Sequence, residues 1–560
     1  MLRHCSRGLA LLALVPCLAL AQNPLKLAPK PTTTAITAAD LMTRLYVFAD
    51  DSMQGREVGT EGHLRGARYL AGELTRLGLT PAGDSGTFYQ DFVLDVTAPD
   101  PATTVKVGSA ALTSGTDFII FPAIGLPGIG KPFSAENVPV IYGGKIGDAT
   151  LLSPEAAAGK LVLFAPADGP GGWQFWGRFG PPQYQKYASA AGLMIAALDV
   201  VPGDLAGYLG STQVGMHEES GQPDPTIALM YLTTAAAEKM FGGPLNGLMA
   251  GAEGPAVTAM GGSVKGASPI PGRNVVAIIP GTDPVLQHQY VAVGAHNDHE
   301  GIRRPVEHDS LRAFNTVVRP GGAEDGGKQA TAEQLPIVQA RLDSLRALRG
   351  ARIDSIMNGA DDDGSGSMAV LELAEYFKAN PVRRSIVLVW HAGEEKGLFG
   401  SGWFTDHPTV SRDSIVAQIN LDMIGRGSPA DIPGGGPGYI QLIGSRRLST
   451  QLGDLVEAVN TTGKHGFSFD YQFDANGHPA QYYCRSDHYM YARYGIPVVF
   501  FSTGSHPDYH HVTDEPQYIG YEKYARVTSF VRDVARTVAN LDARPLVDHA
   551  KPDPKGQCKQ

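Results

Sequence analysis

Apolar and polar positions in the second half of the chain predict strands separated by helices. Short apolar runs bounded by polar or glycine-containing turns predict buried strands at 274–279, 290–295, 385–390, 416–421, 439–443 and 497–502. Apolar residues at helical spacing predict helices before Phe377, near 449–459 and over 527–541. Apolar strands that alternate with helices predict an α/β fold, with a central mixed, largely parallel β-sheet flanked by helices.

The first half of the chain has a different pattern. Residues 38–80 have helical spacing with a turn at 55–60, and 88–93 and 103–107 alternate as strands do. Residues 135–265 contain short strand signals and small helices between Gly/Pro loops, which predicts a smaller β-rich α+β domain inserted into the main one.

The resulting domain prediction has five segments. A discontinuous main domain comprises 22–134 and 266–545, with the inserted domain at 135–265. A polar stretch, 301–358, is an insertion within the main domain and has a predicted helix at 339–348; residues 546–560 form a C-terminal tail. We refer to 301–358 as the insertion.

The N-terminus predicts export. Basic residues precede an apolar run at 8–20 and an Ala-Leu-Ala cleavage site, so residues 1–21 are typical of a secretory signal peptide and the mature protein is expected to be periplasmic or secreted. A membrane anchor is the alternative, but the run is short and contains Pro16, and no later stretch approaches 18 uninterrupted apolar residues. Cys17 is compatible with a lipoprotein, although the residues before it match a lipoprotein signal sequence poorly. We therefore expect no stable membrane insertion.

Composition argues against a nucleic-acid partner and leaves open whether the chain forms a disulfide. The net charge of -10 and the lack of a long basic run argue against a nucleic-acid partner. Only Cys484 and Cys558 follow the signal; a single bridge between them is possible but cannot be deduced from the sequence. The oligomeric state is not indicated.

One acidic turn has the composition of a cation site. Residues 359–366, Gly-Ala-Asp-Asp-Asp-Gly-Ser-Gly, stand directly before an apolar helical pattern, and we call them the Asp loop. Such a run can simply cap a helix. It does not match a calcium-binding EF-hand, because the twelfth residue counted from Asp361 is Glu372, inside the apolar helix.

Further metal-ligand side chains follow the predicted strands. Because parallel strands bring their carboxyl ends to one edge of a sheet, these side chains should meet there. They are His296, Asp298 and His299 after 290–295, Glu394 and Glu395 after 385–390, Asp422 after 416–421, and His506, His510 and His511 after 497–502. Imidazole and carboxylate ligands suit a pair of zinc ions, and an additional carboxylate can act as general base.

These motifs resemble the secreted co-catalytic di-zinc aminopeptidase family that includes aminopeptidase Y and glutamate carboxypeptidase II. The similarity extends from about residue 274 to 540 and includes the turn at 55–60, and 135–265 resemble the protease-associated domain often inserted in that family. The resemblance implies seven roles: His296 and Asp422 as ligands of one zinc, Glu395 and His510 as ligands of the other, Asp362 as the bridging ligand, Asp298 as the carboxylate that orients a ligand, and Glu394 as the general base.

Some positions depart from the family pattern. Asn297 stands where Tyr is common, and Asp361 and Asp363 stand where Asn is common; we expect both aspartates to form hydrogen bonds or face solvent. The Tyr-His-x-x-x-Asp ending, which closes at Asp514, favours His510 over the neighbouring histidines. The insertion is unusually long and could cover the cleft and restrict substrates, with its His308 and Asp309 expected to face solvent.

The resemblance implies a zinc-dependent aminopeptidase with two Zn²⁺ ions and a peptide substrate. A carboxypeptidase or dipeptidase is the main alternative and would need a basic pocket, for which Arg426 and Arg485 are candidates. A glutaminyl cyclase uses one zinc, whereas this chain has all five ligands of a pair. A non-catalytic receptor-like protein would be expected to lack ligands, and none is missing.

Overall fold

The computed structural model describes residues 23–121, 128–167, 179–201, 206–207, 209–217 and 225–560. The predicted signal peptide at 1–21 therefore lies outside the described residues. None of the described helices combines the length and the apolar character that crossing a bilayer requires.

A nine-stranded mixed sheet, the main sheet, organises the larger part of the chain. In spatial order its strands are Thr80–Pro81, Gly272–Ile279, Ser385–His391, Tyr290–His296, Ile415–Leu421, Val498–Ser502, Tyr439–Ile443 and Ser468–Asp470, with Tyr89–Phe92 also paired to Gly272–Ile279. The four central strands, from Ser385–His391 to Val498–Ser502, are mutually parallel. The prediction of a central mixed, largely parallel sheet is confirmed.

Helices cover both faces of the main sheet. Successive side chains of the strand Gly272–Ile279 point to opposite faces and pack in different hydrophobic clusters, Val275 and Ala277 in one and Val276 in another. The last helix, Tyr521–Ala539, which we call the closing helix, buries the apolar side chains of one face, including Phe530. Burial of each such side chain stabilises the fold by roughly 1.5–3 kcal/mol. The helices are Ala38–Phe48, Glu61–Arg76, Gly366–Ala379, Phe399–Asp406, Thr450–Thr462, His488–Ala492 and Tyr521–Ala539.

A separate eight-stranded sheet, the second sheet, has its own hydrophobic clusters. Its strands in spatial order are Ala110–Leu112, Thr104–Val107, Glu253–Gly261, Phe133–Lys145, Leu161–Ala165, Gly192–Ile195, Leu229–Leu232 and Phe118–Ile120, and its helices are Pro154–Ala157, Pro181–Tyr184 and Thr234–Phe241. Leu94–Pro99, Gln213–Met216 and Ser263–Ala267 form a small third sheet.

The second sheet does not begin at the predicted boundary between residues 134 and 135. Phe133–Lys145 runs through that boundary, and Thr104–Val107 pairs with Glu253–Gly261 from the far end of the region. The sequence pattern identified a strand at 103–107 but not its partner, because the two are far apart in the chain. The assignment of this region to an inserted protease-associated domain stays a prediction.

The insertion has its own small framework. Gly301–Glu307 and Ile353–Met357 pair as an antiparallel ribbon, and His308–Val318 and Leu335–Arg349 are its helices. His308 and Asp309 are fully buried, so the expectation that they face solvent was wrong. The His308 ring lies between two carboxylates, with Nδ1 2.9 Å from Asp309 Oδ1 and Nε2 3.0 Å from Glu515 Oε2, and these polar contacts make its burial possible.

A disulfide joins Cys484 to Cys558, with a Cα–Cα distance of 5.8 Å. This resolves the pairing that the sequence left open. The bond fixes the C-terminal tail to the segment that includes Tyr482 and Arg485, and the Gln560 side chain accepts a hydrogen bond from the Tyr483 amide at 3.1 Å.

Candidate metal centre

The carboxyl ends of the four central parallel strands meet at one edge of the main sheet. His296 is the last residue of its strand, and Asp422 follows Ile415–Leu421 directly. Glu394 and Glu395 follow Ser385–His391, and His510 lies in the loop after Val498–Ser502. The parallel register, which pairs His296 with His391, brings these side chains to a common level.

The side chain of Asp362 lies between two histidines. Its Oδ1 is 3.1 Å from His296 Nε2, and its Oδ2 is 2.9 Å from His510 Nε2. Glu395 Oε2 lies 3.0 Å from the same His510 nitrogen, and Asp422 Oδ1 lies 3.8 Å from the His296 nitrogen. Each histidine therefore faces one oxygen of Asp362 and at least one further carboxylate.

This arrangement fits a cation on each side of Asp362. Nε2 of both His296 and His510 is buried and has no hydrogen-bond partner of acceptable geometry, although carboxylate oxygens lie close. Burial alone lowers the pKa of His296, but the surrounding carboxylates, Asp298 and Asp362 foremost, overcome this and raise its pKa well above the ordinary value. Buried negative charge in excess attracts positive charge, and imidazole with carboxylate oxygen is a donor set that zinc accepts.

The other two aspartates of the Asp loop are engaged by the main chain. Asp363 accepts hydrogen bonds from the amides of His296 at 3.1 Å, Gly366 at 2.8 Å and Met423 at 3.2 Å. Asp361 accepts one from Gly425 at 2.6 Å. Both are fully buried, so the expectation of hydrogen bonding was right and that of solvent exposure was wrong.

Asp363 also lies near His296 and Asp422, with ligand atoms within 4.8 Å of one another. Its oxygens already accept three amide hydrogen bonds, one of them from the first residue of the helix Gly366–Ala379. Asp363 thus caps that helix, whereas Asp362 directs its oxygens at the histidines. The helix-cap interpretation of the Asp loop applies to Asp363, and the metal interpretation suits Asp362 better.

Asp514 fixes the orientation of the Asp loop. Its carboxylate accepts hydrogen bonds from the amide of Asp361 at 3.1 and 3.0 Å and from the amide of Asp362 at 3.1 Å. The peptide bond between Asp362 and Asp363 is cis. The acidic residue that closes the Tyr-His-x-x-x-Asp ending therefore holds the loop on which Asp362 lies.

His299 belongs to the cluster, although sequence reasoning gave it no role. Its Nδ1 is 2.6 Å from Glu395 Oε1, which leaves Oε2 of Glu395 facing His510. The ring packs on Gly359, where an added Cβ would lie 2.5 Å from the imidazole, so only glycine fits. The available signal was its place in the His-Asn-Asp-His sequence at the end of a strand.

Asp298 lies behind the cluster and is fully buried. Its Oδ1 accepts a hydrogen bond from the Glu394 amide at 3.2 Å and lies 3.7 Å from His296 Nδ1. Its main-chain oxygen is 3.1 Å from the same Nδ1. Asp298 is therefore placed to orient both the His296 ring and the backbone of Glu394.

Arg56 connects the N-terminal segment to two loops of the centre. Its buried guanidinium donates hydrogen bonds to the carbonyl oxygens of Asn297 at 3.2 Å, Asn358 at 2.8 Å, Gly359 at 3.0 Å and Phe48 at 2.9 Å. Burial lowers the pKa of Arg56 to about 10, so the group stays charged at neutral pH behind the acidic cluster. The sequence marked this turn only by its glycines.

A cleft opens beside the cluster and encloses about 450 Å³, its solvent-open mouth included. Glu394 and Asp422 line it together with the apolar side chains of Met423 and Phe500. Asp362, Glu395, Glu324, Tyr482, Arg485, Ser486, Ser502, Gly504, Ser505 and Tyr509 complete the lining. Glu324 belongs to the insertion, which thus reaches the cleft.

The two arginines considered for carboxylate recognition are both in ion pairs. Arg426 is buried outside the cleft lining, with Nη2 2.7 Å from Asp431 and 2.9 Å from Asp508. Arg485 lines the cleft, and its Nη1 is 2.7 Å from Glu324.

Solved structures share this fold. The chain resembles the aminopeptidase from Aneurinibacillus sp. strain AM-1 with a TM-score of 0.51 at 15% identity, covering 92% of this chain and 97% of that one. It resembles BSAP, a zinc aminopeptidase from Bacillus subtilis, with a TM-score of 0.50 at 15% identity, covering 92% and 99%. These likenesses show that the chain has the fold of those aminopeptidases.

Sequence comparison finds a family match and several relatives. Residues 326–535 match the model of peptidase family M28. A probable leucine aminopeptidase of Trichophyton verrucosum is 30% identical over 128 residues, 22% of this chain and 32% of that protein. Leupeptin-inactivating enzyme 1 of Streptomyces exfoliatus is 28% identical over 156 residues, 27% and 31%. A vacuolar membrane protease of Phaeosphaeria nodorum is 34% identical over 122 residues, 21% and 12%, so the chain spans at most about a third of these relatives.

Proposed function

We propose that the protein is a zinc-dependent exopeptidase, specifically an aminopeptidase that removes N-terminal residues from peptides. The observation that supports this most directly is the Asp362 carboxylate, whose two oxygens face the buried Nε2 atoms of two histidines, each of which has further carboxylate neighbours. The match to peptidase family M28 and the aminopeptidases that share the fold support the same reaction class.

In this proposal the chain binds two Zn²⁺ ions. His296 and Asp422 would hold one, Glu395 and His510 would hold the other, and Asp362 would be the ligand that both share, so each ion would have three protein ligands. When bound, the ions lower the pKa of water and polarise the substrate carbonyl.

Glu394 is the proposed general base. It is next to Glu395 in the chain, its carboxylate lies 4.0 Å from His296 Nε2, and it lines the cleft. It accepts a proton from the attacking water and returns it to the departing amine. Asp298 accepts a hydrogen bond from the Glu394 amide and thereby positions the Glu394 carboxylate without contacting substrate.

The ion pairs of the two arginines favour an aminopeptidase over a carboxypeptidase or dipeptidase. Both of those alternatives need a cation that is available for the substrate's terminal carboxylate. Arg426 is paired with two aspartates, and Arg485 is paired with Glu324.

We further infer that the protein is exported to the periplasm or the medium. The disulfide between Cys484 and Cys558 supports this, because such bonds persist mainly in oxidising compartments. The apolar N-terminal run in the sequence agrees with it.

The decisive test is hydrolysis of matched unblocked and N-acetylated peptides by the wild-type protein and by Glu394→Gln. We expect the wild type to release amino acids from unblocked peptides only, and to lose activity when zinc is chelated. Glu394→Gln should lower kcat by about 10²- to 10⁴-fold because proton transfer is lost. Its zinc content, measured by plasma mass spectrometry, should remain unchanged.

Glu522→Gln, an exposed carboxylate in the closing helix, is the matched control and should behave as the wild type. Equal cleavage of blocked peptides would overturn the aminopeptidase assignment. Near wild-type activity of zinc-loaded Glu394→Gln would overturn the role of Glu394.

A further inference from the structure

The cleft beside the metal centre has the lining of a side-chain subsite. Met423, Tyr482 and Phe500 give it apolar and aromatic walls, and Ser502 and Ser505 add hydroxyl groups. The Tyr482 and Ser505 hydroxyls are 2.9 Å apart, so they satisfy each other. These walls favour an uncharged side chain.

Arg485 is the single cation among the described residues that line this cleft. It is held on several sides: Nη1 is 2.7 Å from Glu324 and 3.3 Å from the Ala480 carbonyl, and Nη2 is 3.3 Å from the Tyr509 hydroxyl. Its position in the cleft would suit an acidic side chain if Glu324 were absent.

Glu324 reaches the cleft because the insertion is fixed to the loop that includes His510. The Ala323 amide, one residue before Glu324, donates a hydrogen bond to the Tyr509 carbonyl at 3.1 Å. Gly322 has φ +60° and packs so closely that an added Cβ would lie 2.7 Å from the carbonyl oxygens of His506 and Tyr509.

Farther along the same contact, two more side chains hold the insertion. The side-chain amide of Asn315 donates a hydrogen bond to the Pro507 carbonyl at 3.1 Å, and Arg312 forms an ion pair with Asp508. The turn that includes Glu324 is therefore bound to the loop that includes His510, both through its own residues and through the preceding helix His308–Val318. The carboxylate is presented to Arg485 by a fixed backbone.

We propose that Glu324 is a specificity-determining residue that neutralises Arg485 and so excludes acidic N-terminal side chains from the cleft. This inference rests on the aminopeptidase function proposed above. Glu324 belongs to the same chain and its turn is tied down, so its effective concentration at Arg485 is high and a substrate carboxylate competes poorly for the guanidinium. The substrate class is peptides with an uncharged, apolar first residue.

The test is the ratio of kcat/KM for Glu-p-nitroanilide to kcat/KM for Leu-p-nitroanilide, measured with the zinc-loaded full chain. We expect Glu324→Gln to raise this ratio by roughly tenfold or more, because Arg485 becomes available for a charge-assisted hydrogen bond. Adding Arg485→Met to Glu324→Gln should return the ratio to the wild-type level or below.

Asp343→Asn is the matched control. It makes the same charge change on the exposed surface of the insertion helix Leu335–Arg349 and should leave the ratio unchanged. An unchanged ratio in Glu324→Gln, or an equal loss of kcat/KM on both substrates, would overturn the inference. The proposed function would still be upheld if the wild type cleaves the leucine substrate. A wild type that cleaves neither substrate would overturn the proposed function, and the inference with it.

Discussion

The two oxygens of Asp362 face different histidines, whereas its neighbours in the Asp loop accept hydrogen bonds from the backbone. Three consecutive residues with the same side chain thus have three different surroundings. The difference arises from Asp514, which fixes two amides of the loop and so sets the direction of each carboxylate.

This arrangement makes a prediction about metal content. Asp362→Ala removes the proposed bridge and should reduce bound zinc from two ions per chain to near zero. Asp361→Asn keeps an acceptor for the Gly425 amide and should retain both ions. Metal analysis after dialysis measures the difference, and the reverse result would mean that Asp361 rather than Asp362 is the bridge.

The candidate site could be predicted from sequence where motifs follow strands. His296, Glu395, Asp422 and His510 are close together because parallel strands end at a common edge. The pairing of Glu324 with Arg485 could not be predicted, since it depends on how a long insertion folds back and no periodicity encodes that.

The same limit explains the error at His308. Its polar sequence surroundings predicted solvent exposure, but a partner more than 200 residues away, Glu515, makes burial favourable.

At the scale of elements, the six longest strands of the main sheet were predictable because apolar residues dominate each of them. The ribbon formed by Gly301–Glu307 and Ile353–Met357 was not, because charged residues interrupt both strands and the two pair across the length of the insertion. The pairing of Thr104–Val107 with Glu253–Gly261 was likewise not predictable, because the two strands are far apart in the chain.

The turn at Gly322–Asp325 provides an element-scale prediction. Gly322→Val places a side chain against two carbonyl oxygens, so the turn must move and withdraw Glu324 from Arg485. We expect the selectivity ratio to shift in the same direction as in Glu324→Gln, with zinc content retained. The p-nitroanilide assay and metal analysis measure both quantities.

Gly350→Val is the control for backbone strain. Gly350 also has a positive φ, +76°, but an added Cβ there meets no atom within 4 Å. It should lose stability without a change in selectivity. If both variants leave the ratio unaltered, the contact at Gly322 does not position Glu324.

At the scale of the whole molecule, the disulfide links the tail to the wall of the cleft. It closes a loop with a sequence separation of 74 residues, and the chain-entropy estimate of its stabilisation is about 4 kcal/mol. The Cys484→Ser/Cys558→Ser variant should therefore unfold at lower urea concentration than the wild type.

Weaker binding of substrate should accompany that loss, because Tyr482 and Arg485, which are close to Cys484 in the chain, line the cleft. We expect a higher KM with zinc content unchanged. Reducing the wild type with a phosphine rather than a zinc-binding thiol should reproduce both effects, and a KM that stays constant on reduction would show that the tail does not influence the cleft.

Arg56 has a consequence for how a working unit of this protein must be defined. The family match covers 326–535, yet Arg56, His296 and Asp298 all precede it. A recombinant fragment cut to the match would lack two of the seven proposed site residues and the cation that holds the backbone between those two residues and at the start of the Asp loop. Such a fragment would retain the family signature without an assembled centre, so expression boundaries should follow the hydrogen bonds of Arg56 rather than the limits of sequence similarity.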